Sequence, residues 1–101
     1  MATIEEELNL ARQAKAAIEA RRSKEMIEIL RKATRMATEQ IVLSSADPLN
    51  DARHNVGIAV PPYTAEQRQP TQGEIVKAKI AIETWIREVE AATPYTVSTS
   101  E

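Results

Sequence analysis

The chain has 101 residues, enough for one domain, and a formal charge of −2, too small by itself to call for a polyanionic or polycationic partner. It has no cysteine, which excludes disulfides, thiolate catalysis and cysteine-ligated zinc. With no Phe, one Trp and two Tyr, its core must come from Ala, Ile, Leu and Met, a mixture that suits helix packing and argues against a β-sandwich.

The first element starts at a capping box, Thr3 with Glu6, and Glu5 to Glu7 set negative charge on the positive helix end. From Ile4 to Ala46 there is no glycine or proline. An apolar stripe runs through Ile4, Leu8, Ala11, Lys15, Ile18, Arg22, Met26, Ile29, Ala33, Met36, Gln40 and Leu43, in heptad steps with one stutter at Arg22 to Met26. The spacing predicts one long helix over 4–46, about 60 Å long. A compact chain of this size is only about 35 Å across, so a second copy or a partner is expected to bury the stripe. Ser23 offers an alternative, as the cap of a second helix in a helical hairpin. The missing Gly, Asn or Pro and the unbroken phase of the stripe favour the single helix.

Asp47-Pro48 ends this rod, and Asp47 is placed to cap a short helix over Leu49 to His54 that Gly57 would close. Ile58 to Tyr63, with Pro61 and Pro62, reads as extended polyproline II. Residues 47–70 are therefore expected to be a connection with short helical turns. Thr71 and Glu74 make a second capping box, and a helix follows over 71–93 with the seam Ile75, Ala78, Ile82, Trp85, Val89, Ala92. Residues 94–101 form a polar tail. The expected fold is all-α: a long N-terminal helix, a proline-containing connection and a C-terminal helix, forming a helical bundle or coiled-coil-like oligomer in a single domain, 1–101.

Chemistry-bearing residues are sparse. His54 is the only histidine, and the nearby Ser44, Ser45, Asp47 and Asp51 lack a nucleophile elbow or an oxyanion glycine. No second His or Cys accompanies it to hold zinc. Gly57 and Gly73 are isolated, so no phosphate loop forms, and Glu83, Glu88 and Glu90 lack the concave site that paired-acid catalysis needs. Pro61-Pro62-Tyr63 lacks the spacer of a WW-domain ligand. The charge pattern holds more: residues 12–35 carry eight cations against three anions. On one helix Arg21, Lys24, Arg31 and Arg35 fall within roughly 80° of each other, a candidate strip for phosphates or an acidic protein face.

No enzyme activity, cofactor or metal is expected. The favoured function is a structural or adaptor protein that self-associates or docks in a larger assembly, for example a virus particle. Its interface would be Ile4, Leu8, Ile18, Met26, Ile29, Met36, Leu43, Ile82, Trp85 and Val89. The alternative is a nucleic-acid-binding regulator using the basic strip. No apolar run reaches the 18 or so residues a membrane span needs, and the acidic start is unlike a signal peptide, so a cytoplasmic or particle-bound protein is expected.

Overall fold

A computed structural model describes residues 3–42 and 46–92, which form four helices: α1 (Ile4–Glu19), α2 (Lys24–Glu39), α3 (Pro48–Thr64) and α4 (Gln72–Ala92). Leu43, Ser44, Ser45 and the polar tail lie outside the described residues.

The cap of α1 forms as expected. The Thr3 hydroxyl accepts from the Glu6 amide at 3.1 Å, and the Glu6 carboxylate accepts from the Thr3 amide at 2.8 Å. The single long helix does not form. Helix α1 stops at Glu19, Ala20 and Ser23 adopt extended backbone, and the Ser23 hydroxyl accepts from the Met26 amide to start α2. The expectation failed because it required Gly, Asn or Pro at the turn. No described residue has positive φ, and extended backbone is open to any L-residue. Two short helices replace the rod, and the longest dimension is 46 Å.

Helix α3 is the second departure. Asp47 caps it, accepting from the Leu49 amide at 3.0 Å, with Pro48 in the first turn. Asn50, buried, clasps the preceding link: its side chain exchanges hydrogen bonds with both the amide and the carbonyl of Val42, at 2.7 and 2.9 Å. The helix then runs through Gly57, Pro61 and Pro62, where a closed short helix and an extended segment were expected. Pro61 and Pro62 strand the carbonyls of Gly57 and Ile58, and Ile58 lies on the solvent side. Burial of Val56, Val60 and Tyr63 on the other side holds the helix in place. Gly57 serves close packing, not termination: a Cβ there would lie 2.8 Å from the Thr38 side chain of α2.

Helix α4 starts at its expected capping box. Thr71 and Glu74 exchange side-chain-to-amide bonds of 2.9 and 3.1 Å. Ala78, Ile82, Trp85 and Val89 of the expected seam are buried, with Ala81 beside them; Ile75 is half-buried, and Ala92, at the last turn, is exposed.

The helices close into a ring in which each packs on two neighbours: α1 on α2 and α4, α3 on α2 and α4. Alanines at 11, 14, 17, 33, 37, 52 and 78 let the backbones approach, and Trp85, Leu30 and Ile82 fill the centre. The residues assigned to an intermolecular seam are largely used inside the molecule. Ile18, Ile82, Trp85 and Val89 are buried, and Ile4, Leu8, Met26, Ile29 and Met36 pack half-buried against the same core. The chain therefore covers most of its own stripe, and the requirement for a second copy falls away.

Candidate functional site

Among the described residues, three places bear on function: a buried polar cluster in the core, the end of α3, and a largely apolar groove between α3 and α4.

In the core, Glu7 is fully buried. Its carboxylate takes a fork from Arg53, Nε to Oε2 at 2.8 Å and Nη2 to Oε1 at 2.7 Å. The Trp85 indole N–H adds a third bond to Oε2 at 2.8 Å. Arg53 also donates to the Gln40 carbonyl at the end of α2, at 3.1 Å. One cluster thus touches all four helices, and the Glu7–Arg53 pair spans the α1–α3 diagonal. The carboxylate is held by three fixed donors and closed to solvent, so a substrate has no path to it.

At the end of α3, Arg22 donates to the carbonyls of Tyr63 (3.2 and 3.3 Å) and Ala65 (2.7 Å), and its guanidinium sits 5.7 Å from the centre of the Tyr63 ring. Arg31 donates to the Thr64 carbonyl at 3.0 Å and pairs with Glu66 at 3.2 Å. The two arginines bring positive charge and donors to a helix end that needs both.

This placement redistributes the basic strip. Arg31 is committed to α3, and Arg21 lies in the turn before α2. Lys24 and Arg35 remain exposed on α2. His54 is exposed on α3 with Asp51, while Ser44 and Ser45 fall outside the described residues. Glu90 pairs with Arg12 at 3.0 Å, and Glu83 is exposed. Among the described residues no group of three His, Cys, Asp or Glu is placed to hold a metal ion, and no helix is long and apolar enough to cross a membrane.

The groove is formed by Asn55, Ile58 and Ala59 of α3 with Lys77, Ile80, Ala81 and Thr84 of α4. Its volume is about 230 Å³. Ile58 is 72% exposed and Ile80 57%, the two most exposed large aliphatic side chains described. Lys77 is its only charged lining residue. The volume falls below the roughly 300–1,000 Å³ of small-molecule sites, so the groove suits side chains better than a whole metabolite. A larger hollow beside Thr3, Glu6, Leu8 and Arg12 is lined by α1 alone, and its Thr3 and Glu6 are already bonded to each other.

Sequence reasoning missed Glu7, Arg53 and the groove. Glu7 carried a readable signal, since it lies in phase with Leu10, Ala11, Ala14 and Ile18. Arg53 carried none, because its partner Glu7 lies 46 residues away, and the groove carried none, because α3 was not expected to extend past Gly57.

No known protein family matches this chain, and no curated protein or solved structure shows significant similarity to it.

Proposed function

We propose that this chain is a small non-enzymatic adaptor, which works by seating one amphipathic helix of a larger assembly in the α3–α4 groove. The observation that carries the reading is the pairing of exposed Ile58 and Ile80 across a narrow groove whose single charge is Lys77. Apolar side chains at helical spacing would fill the groove, and an acidic residue beside them would meet Lys77. Scale separates this from obligate self-association. Large permanent interfaces bury roughly 2,000 Å² or more. Along the groove only two large aliphatic side chains, Ile58 and Ile80, stand exposed, against the roughly 20–30 residues a side of a standard interface. A reversible docking contact fits that scale.

The test titrates isotope-labelled protein with a synthetic 18-residue Leu/Glu amphipathic peptide, and with a Leu/Lys peptide of the same pattern. Resonance shifts should centre on Ile58, Ile80 and Thr84 below about 1 mM Leu/Glu peptide. They should be weaker with the lysine version and absent in the I58D/I80D variant. Shifts confined to Lys24 and Arg35 would favour an acidic or nucleic-acid partner on α2 and overturn the reading. Concentration-dependent dimerisation abolished by I80D would assign the groove to a second copy instead.

A further inference from the structure

We infer that the Glu7–Arg53–Trp85 cluster sets the rotational phase of α1, selecting between two faces that could each serve as its buried side. Helix α1 carries two competing stripes. One is Ile4, Leu8, Ala11, Lys15 and Ile18. The other is Glu7, Leu10, Ala11, Ala14, Ala17 and Ile18, and this second one is buried. At 100° per residue their centres differ by about 80°. Apolar content alone does not choose the observed phase. It leaves Ile4 and Leu8 half-buried while placing a carboxylate at zero exposure. Glu7, Leu10, Ala14 and Ala17 take the place that Ile4, Leu8 and the stem of Lys15 would fill in the other phase.

The cluster provides the missing preference. In the observed phase the Glu7 carboxylate reaches the Arg53 fork and the Trp85 indole together. Removing such a carboxylate's partners leaves a buried charge with nowhere to go except solvent. Rotation of α1 by about 80° breaks its bonds, moves it from the middle of the buried face to about 60° from the new centre, toward the edge where solvent reaches, and draws Ile4 and Leu8 inward. Arg53 also holds the Gln40 carbonyl, so the same guanidinium that selects the phase of α1 is tied to the end of α2. The role assigned to the cluster is specification of one packing among two, the use of buried ion pairs with the best physical precedent.

Because the chain has no native cysteine, single cysteines report the phase directly. L8C and L10C are placed in the wild-type protein and in R53M/W85F, and their labelling rates with a thiol reagent are compared under native conditions. In the wild-type background L10C, buried, should react at least about tenfold more slowly than L8C. In R53M/W85F the order should invert, with far-UV helicity retained. A third background, E7L/R53M/W85F, makes the observed stripe apolar without the cluster, and there L10C should be the protected site again. Persistent protection of L10C in R53M/W85F would show that packing alone sets the phase. Unfolding of R53M/W85F in place of rotation, or failure of the apolar triple variant to fold, would likewise overturn the inference.

Discussion

Arg68 and Glu74 show how much one pair can shift a titration at the surface. Two bonds of 2.8 and 2.7 Å from the guanidinium, aided by the Thr71 amide, hold the Glu74 carboxyl at about 2, against an ordinary value of 4.5. Arg68 is raised in turn. A carboxyl depressed in the folded state adds stability that is complete above its unfolded pKa and is lost as pH falls through the folded one. The gap in melting temperature between wild type and Glu74→Gln should therefore shrink steadily from pH 5 to pH 2, and the Glu74 carboxyl carbon should titrate near 2 by NMR. A Glu74 midpoint near 4.5 would remove the clamp from the account. Arg22 is a deeper case, since it bonds two carbonyls and stacks on Tyr63. Arg22→Ala should cost about 1–2 kcal/mol in urea denaturation, because carbonyls at the end of α3 lose charged donors. Arg35→Ala, on an exposed side chain, should stay within about 0.5 kcal/mol.

At the scale of elements, boundaries follow from caps and close contacts. Ser23 starts α2 with one side-chain bond, so Ser23→Ala should cost about 1 kcal/mol and leave helix content unchanged. Conversion to a longer helix, seen as a rise in ellipticity, would mean that the cap alone keeps the chain turned. The α2–α3 contact offers a coupled test. Gly57→Ala should gain helix propensity of up to about 1 kcal/mol, but its methyl meets Thr38, whose hydroxyl is held by the Arg35 carbonyl at 3.0 Å. The gain should be absent in the wild-type protein and appear in a Thr38→Ala background, giving a double-mutant coupling of about 0.5–1 kcal/mol. Additive effects would show that α2 and α3 already stand apart. The two prolines of α3 illustrate the same balance: local propensity argues for a break, and the buried Val60 and Tyr63 outweigh it.

For the molecule as a whole, stability rests on a thin core rich in alanine around Trp85 and Leu30. Leu30 is completely buried, and Leu30→Ala should cost about 2–5 kcal/mol by calorimetry or denaturant unfolding, since an alanine-lined site has little to collapse with. Ile29 and Met36 lie half-buried at the core's edge, and Ile29→Ala should cost less than Leu30→Ala. A larger cost at Ile29 would place the stripe read from sequence, not the one observed, at the centre of the core.

The distance between those two stripes explains what was legible. The sequence alone determined that the chain is helical and where its capped starts fall: Thr3, Ser23 as an alternative, Asp47, and Thr71 with Glu74. It also determined the buried face of α4, because caps and the periodicity of a strongly apolar helix are local properties. The faces of α1 and α2 were not local. Each buries a stripe displaced by roughly 75–80° from the seam read across both, in opposite senses, so no continuous rod could present them together. That choice belongs to partners far along the chain: Arg53 and Trp85 for Glu7, and the end of α3 for Arg22 and Arg31. The groove follows from the same contacts, for it exists only where α3, carried past its prolines by tertiary burial, runs beside α4.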